Sequence, residues 1–164
     1  MKVVLLALSL AVYCVCAESA IAAVSSGAPV AGRSLYVEQP EDESGKHLDN
    51  DVLGSLHEAL ESELGNGHRL TAKPDAQALV RVEVTEFHMR NQASRWMLGA
   101  MSGKDFIKSR ISLVEPGSGA TLLSFEVTTS TTNQWRGQDS IARLHAKEIA
   151  TSLAQKADSA SESR

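Results

Sequence analysis

Residues 107–127 read IKSRISLVEPGSGATLLSFEV, and this stretch decides the fold. On either side of its centre, apolar and polar residues alternate, which is the pattern of a β-strand with one buried face. The apolar positions are Ile107, Ile111 and Leu113 before the centre, and Leu123, Phe125 and Val127 after it. The centre, residues 115–119, is turn chemistry, because proline presets one backbone angle and glycine tolerates a positive φ. The stretch therefore predicts a β-hairpin.

Further strands are predicted before the hairpin. Val80, Val82 and Val84 alternate with charged and hydroxyl residues, so they predict a half-buried strand. Residues 33–39 predict a shorter first strand, and residues 68–72 leave open a second short one.

Two amphipathic helices are predicted, over residues 49–64 and 139–157. Asp49 can cap the first helix, and Leu48 and Leu53 have the spacing of a hydrophobic staple around that cap. The core-facing stripe of the first helix is Leu53, Leu56, Leu60 and Leu64. The stripe of the second is Ala142, Ala146, Ile149, Ala150, Leu153 and Ala157, whose many alanines indicate a close approach to the sheet.

Together these elements predict the fold class. It is a single small α+β domain over residues 33–157, with a largely antiparallel sheet of about four to five strands and two amphipathic helices on one face. The acidic stretch at residues 40–50 is predicted to be a solvated loop, and residues 158–164 a polar tail. Aromatic residues make up 4% of the chain, so aliphatic side chains must fill the core.

The N-terminus has the pattern of a secretory signal peptide. Lys2 gives a positive start, and an apolar run too short to span a bilayer follows it. Small residues then allow cleavage after Ala17 or after Ala22. We therefore predict a signal peptide over residues 1–22, a flexible linker over residues 23–32, and an exported, periplasmic protein.

The two cysteines of the chain leave a membrane anchor open. Cys14 and Cys16 both lie in the apolar run, so cleavage after Ala17 removes them and no disulfide is expected. A bacterial lipoprotein begins at a cysteine that follows a small residue. Here Tyr13 and Val15 precede the two cysteines, which favours plain export over lipidation of Cys14 or Cys16.

The charge of the chain argues against nucleic acid as a partner. The formal net charge at pH 7 is −4, and phosphate binding needs a basic surface. We therefore expect no nucleic-acid partner.

Residues 80–127 carry a resemblance to a known family. The matching positions are Thr85 and Phe87, then Arg95-Trp96, Gly99 and Gly103, and finally Leu113-Val114-Glu115, Gly119, Leu122 and Phe125. In this order the chain resembles a bacterial family of small exported proteins, many of them lipoproteins, known as domain of unknown function 4410. The resemblance implies export and an α+β fold. It implies no activity, because the family has no assigned catalytic residues. The chain departs from the family pattern at Met101, where an alternating run of glycines usually continues.

No catalytic, cofactor or metal constellation is apparent in the sequence. The five histidines form no HExxH pattern, and His57 with Glu61 at helical spacing predicts a surface pair rather than a zinc site, which needs three or four ligands. The threonine-rich residues 128–132 are explained by β propensity, and no GxSxG elbow is present. We therefore predict no cofactor, no metal and no enzymatic activity.

An apolar run lies where polar loop residues are expected, between the strand at Val84 and the hairpin. It predicts either a loop that caps the core or a contact patch for an envelope protein partner or a lipid surface. The patch would comprise Arg95, Trp96, Met97, Leu98 and Met101.

Three functions follow from these features, in order of preference. The first is a non-enzymatic accessory or binding module of the bacterial envelope. The second is a membrane-anchored lipoprotein subunit of an envelope transport or secretion complex, and the third is a small exported hydrolase. The oligomeric state does not follow from the sequence.

Overall fold

The computed structural model describes residues 32–67, 69–89, 104–131 and 138–162. The predicted signal peptide lies outside these residues, as does the linker apart from Gly32. The elements in chain order are strands β1 (Ser34–Val37) and β2 (Glu41–Asp42), helix α1 (Asn50–Gly65), strand β3 (Arg69–Leu70), a 3-10 turn (Lys73–Asp75), strands β4 (Ala78–His88), β5 (Asp105–Val114) and β6 (Thr121–Thr131), and helix α2 (Gln138–Glu162).

The strands form one sheet in the order β3-β1-β4-β5-β6, and β2 also pairs with β4, further along the edge that β1 occupies. The long β4–β5 and β5–β6 ladders are antiparallel, and the second is the predicted hairpin. Its turn contains Gly117 and Gly119, with φ of 90° and 70°. The predicted class is confirmed: a small α+β domain with two helices and a mostly antiparallel sheet.

The short N-terminal strands were not expected to pair as they do. β1 lies parallel to both β3 and β4, and β2 lies parallel to β4. β2 falls in the stretch predicted as a solvated loop, so that prediction is wrong for Glu41–Asp42. β1 and β2 run along the same edge of β4 and are separated by Pro40, which has no N–H to contribute to a ladder.

A β-bulge in β4 changes which residues face the core. Val84 pairs with Ser109 and Glu86 pairs with Lys108, so Thr85 is the extra residue, and its hydroxyl donates to the Lys108 carbonyl at 3.3 Å. Inward-facing residues therefore shift from even numbers to odd ones, and Phe87 packs against the core. The Thr-x-Phe pattern that carried the family resemblance thus marks a bulge.

α1 begins as the sequence predicts. The Asp49 carboxylate accepts from the Asp51 N–H at 3.2 Å, and both staple residues, Leu48 and Leu53, are buried. The remaining stripe residues Leu56, Leu60 and Leu64 have no exposed surface. The first predicted helix is therefore confirmed in its start, its length and its buried face.

α2 packs across α1 and the β5–β6 half of the sheet. The stripe residues Ala142, Ala146, Ile149, Leu153 and Ala157 are all buried in the same cluster as the α1 leucines, which places both helices over one sheet face. The helix runs to Glu162, so the predicted polar tail begins inside it. Within the described residues, no helix is both long and apolar enough to cross a lipid bilayer.

Candidate functional site

The core-facing stripe of α2 contains a histidine. His145 lies between Ala142 and Ile149 on that stripe and has no exposed surface. Two hydroxyl residues that face it, Ser109 on β5 and Thr129 on β6, are also completely buried. Three polar side chains from three elements therefore meet inside an otherwise aliphatic core.

These side chains form a chain of hydrogen bonds that reaches the surface. Ser109 Oγ lies 2.8 Å from His145 Nε2, and Thr129 Oγ1 lies 2.7 Å from His145 Nδ1. The Thr129 hydroxyl in turn donates to the carboxylate of Glu148, which is partly exposed on the next turn of α2. We call Ser109, His145, Thr129 and Glu148 the buried polar chain.

The direction of each hydrogen bond follows from the donors that are present. An ionised carboxylate only accepts, so the single Thr129 hydroxyl proton points to Glu148. Thr129 Oγ1 must then accept from His145, which places a proton on Nδ1. Burial lowers the pKa of His145 to about 4, so the ring is neutral at pH 7 and Nε2 carries a lone pair. Ser109 therefore donates to Nε2, and every polar atom along the chain is satisfied.

The order serine, histidine, acid is that of a catalytic triad, but two features distinguish the buried polar chain from a triad. In a catalytic triad the acid contacts the histidine directly, whereas here Thr129 lies between His145 and Glu148. In addition, a nucleophile must reach its substrate, and Ser109 is completely buried between the sheet and α2. The arrangement accounts for a hydrogen-bonded link that holds α2 on β5 and β6.

The sequence carries a signal for the buried polar chain in its apolar periodicity rather than in a motif. His145 falls three residues after Ala142 and four before Ile149, which puts it on the predicted buried stripe. Ser109 and Thr129 likewise fall on the inward positions of their strands. The partners of His145 are 16 and 36 residues away in the chain, so no motif of closely spaced residues contains them.

A groove opens beside the buried polar chain, between β6 and α2. Its volume is about 490 Å³, and Glu148 contributes to both the groove and the chain. The other lining residues are Glu126, Val127, Thr128, Leu144, Lys147, Thr151 and Ser152. The groove is therefore bounded on one side by the outermost strand of the sheet order.

The sheet face opposite the helices is polar and crossed by ion pairs. Glu83 lies 3.4 Å from Arg110, and Lys108 lies 3.2 Å from Glu126. Near the N-terminal edge, Glu38 accepts from Lys73 at 2.7 Å and from Arg81 at 3.0 Å. Burial raises the pKa of Glu38, but these two hydrogen bonds outweigh it and hold the pKa below its ordinary value.

The histidine and carboxylate pair predicted on α1 is present. His57 Nε2 lies 3.6 Å from Glu61 Oε1, as the helical spacing predicted. Among the described residues, no group of three or more histidine, cysteine, aspartate or glutamate side chains could hold a metal ion. The predicted contact patch, Arg95, Trp96, Met97, Leu98 and Met101, lies outside the described residues.

The fold and the sequence match a family. The model of the domain of unknown function DUF4410 matches residues 23–134, which is more than half of the chain. The chain belongs to the DUF4410 family. The resemblance noted around the Thr85 bulge and the hairpin is thereby confirmed. No match is found among curated proteins.

This DUF4410 chain is also similar to solved structures. The PelC dodecamer from Paraburkholderia phytofirmans has a TM-score of 0.54 and 15% identity, and the match covers 74% of this chain and 87% of that one. The hypothetical protein CT253 from Chlamydia trachomatis gives a TM-score of 0.51 at 8% identity, covering 77% and 95%. Lipoprotein GNA1162 from Neisseria meningitidis gives 0.49 at 14% identity, covering 76% and 98%. At such identities the likeness to PelC and CT253 is one of fold.

Proposed function

We propose that this DUF4410 protein is an exported protein of the bacterial envelope that acts as a non-enzymatic accessory or binding module. The observation that carries the proposal is the position of Ser109. The one serine–histidine contact among the described residues is buried completely, with the histidine turned toward a threonine rather than an acid. A group in that position stabilises the fold and does not meet a substrate.

Export rests on the N-terminal residues. The positive start, the short apolar run and the small residues near Ala17 and Ala22 are the features that a signal peptidase reads. The periplasm is the compartment that these features favour, and the mature domain needs no disulfide to fold there because both cysteines precede Ala17.

A labelling experiment tests the non-enzymatic proposal. The purified protein is treated with a fluorophosphonate, which reacts covalently with activated serines, and is also assayed with a chromogenic ester. We expect no covalent adduct at Ser109 and no turnover above that of a Ser109→Ala variant. An adduct on Ser109 that the substitution removes would establish the hydrolase instead.

The mass of the mature protein tests export and the anchor together. An unmodified N-terminus at Glu18 or Ala23 supports free export to the periplasm. A diacylated N-terminal Cys14 or Cys16 would show instead that the protein is a membrane-anchored lipoprotein. An unprocessed N-terminus at Met1 would refute export.

A further inference from the structure

The two edges of the sheet differ in how well they resist pairing with another strand. Natural sheets protect their edges with short strands, proline, charges or bulges, because an exposed row of N–H and C=O groups is a template for another chain. On the N-terminal side, the strands are β3 with two residues, β1 with four and β2 with two, and Pro40 interrupts the row. This edge is protected.

β6, at the other edge, is much longer, and the irregularity in its ladder with β5 lies at the turn end, between Thr121 and Leu123. It runs for 11 residues, Thr121–Thr131, without proline or glycine. Five of these residues are threonine or valine, which is a composition that favours β structure, and four of the five lie in the last five positions: Val127, Thr128, Thr129 and Thr131. In the part of the chain that the structure describes, β6 pairs with β5 alone.

The charge on β6 does not protect it either. Its one charged residue is Glu126, and the carboxylate already lies 3.2 Å from Lys108 Nζ on β5. A strand that approaches β6 therefore meets a compensated charge. The edge strand is long, and its one charged side chain is already paired within the domain.

We propose that β6 pairs antiparallel with β6 of a second copy of this chain, so that two domains form a two-fold dimer with one continuous sheet. A second copy of this chain can supply a strand that pairs with β6 along its length. Both copies present the same unprotected strand, whereas the protected edge of β1, β2 and β3 is too short to receive it. Such an interface is isologous and closes at two copies.

The register of this dimer can be derived from the side chains of β6. A two-fold axis at Val127 places Glu126 opposite the partner's Thr128, and Ser124 opposite the partner's Ser130, so no like charges face each other. Residues 124–130 of both copies then overlap, which gives about seven backbone hydrogen bonds. A typical stable interface carries about ten.

The groove between β6 and α2 fits the same arrangement. Directly opposed residues of an antiparallel pair lie on the same sheet face, so the two-fold brings both α2 helices to one side of the continuous sheet. The grooves of the two copies then open toward each other, and Leu144 and Thr151 line the space that the partner's strand borders.

The test is a charge placed at the predicted contact. Thr128→Glu sets a glutamate against the partner's Glu126 at two symmetric points, and within one copy it faces Lys108, so the domain itself keeps a favourable pair. Ser112→Glu is the matched control, because it adds the same charge to the same face at a position on β5 away from the edge. The melting temperature of each variant shows that the domain is folded.

The readouts are sedimentation over a wide protein concentration range and hydrogen exchange of the β6 amides. We expect a monomer–dimer equilibrium for the unmodified protein and for Ser112→Glu, and a dissociation constant about tenfold higher for Thr128→Glu. Amides of β6 that point away from β5 should exchange slowly in the dimer and rapidly at dilution. A monomer at every concentration, or an assembly of any size that Thr128→Glu leaves unchanged, overturns the proposal.

Discussion

His145 predicts how the stability of the domain should change with pH. The pKa of a histidine in an unfolded chain is about 6.5, and burial lowers that of folded His145 to about 4. As the pH falls below about 6.5, the unfolded state binds a proton that the folded state cannot yet bind, so the free energy of unfolding decreases. The decrease continues to about pH 4, where folded His145 titrates as well.

The size of this effect follows from the difference between the two pKa values. At about 1.4 kcal/mol for each pH unit, the difference corresponds to about 3 kcal/mol lost between pH 7 and pH 4. This is a large share of the total stability of a domain of this size. Glu148 is linked to the ring through the Thr129 hydroxyl.

Urea unfolding followed by circular dichroism at several pH values measures the effect. His145→Gln should remove most of the slope between pH 6.5 and 4, because glutamine can donate and accept but does not titrate. His57→Gln is the control, since His57 contacts Glu61 on α1 and takes no part in the buried polar chain, so its replacement should keep the slope. A slope of the same size in His145→Gln and in the unmodified protein would refute the reasoning.

The carboxylates of Glu38 and Asp42 should affect the stability of the domain at lower pH than His145 does. The pKa of Glu38 and that of Asp42 are both below their ordinary values, because hydrogen bonds to the ionised forms outweigh the effect of burial. Their contribution is therefore present above the unfolded pKa, near 4, and is lost as the pH falls through the folded pKa. Loss of stability above pH 4.5 thus reports on His145 and not on these two groups.

Three further predictions concern the core, the bulge and the loop. Leu60→Ala and Phe125→Ala should each lower the free energy of unfolding by about 2–5 kcal/mol, since both side chains are buried. Lys108→Ala, on the opposite sheet face, should change it by no more than about 1 kcal/mol. Equal losses for Lys108→Ala and Phe125→Ala in chemical denaturation would show that the register of β5 is wrong. Deletion of Thr85 should leave the protein folded, because Phe87 then continues a regular ladder with the same face inward. Deletion of Arg81 should unfold it, because the residues on one side of the deletion then change face. Circular dichroism measures the outcome, and unfolding by both deletions would contradict the bulge. The double substitution Trp96→Ala, Met101→Ala should leave the melting temperature nearly unchanged and remove binding to lipid vesicles or to an envelope partner; a loss of several kcal/mol would show instead that the loop caps the core.

Much of the fold could be predicted because its signals are local. The alternation around residues 115–119 defines two strands and the turn between them, and the spacing of the leucines from Leu53 to Leu64 defines one helix and its buried face. Asp49 and the glycines of the turn act on backbone groups a few residues away. Signals of this kind are complete within one element, so the sequence carries them without reference to the rest of the chain.

The pairing of the short strands depended on the tertiary structure. Glu41–Asp42 looks like solvated acidic sequence, and it becomes a strand because β4 offers an open edge beyond Pro40. A period of two assigns a face to each residue and says nothing about which strand lies beside it. Parallel pairing of β1, β2 and β3 is therefore a property of the assembled sheet.

The candidate site shows the same division most clearly. By itself, the sequence determined that Ser109, Thr129 and His145 each lie on an inward face, since each occupies a position of the apolar period. Only the packing of α2 on β5 and β6 decided that these three side chains meet one another and Glu148. The reason is physical: a buried polar group must find a hydrogen-bond partner, but which partner it finds is set by contacts between elements that are far apart in the chain.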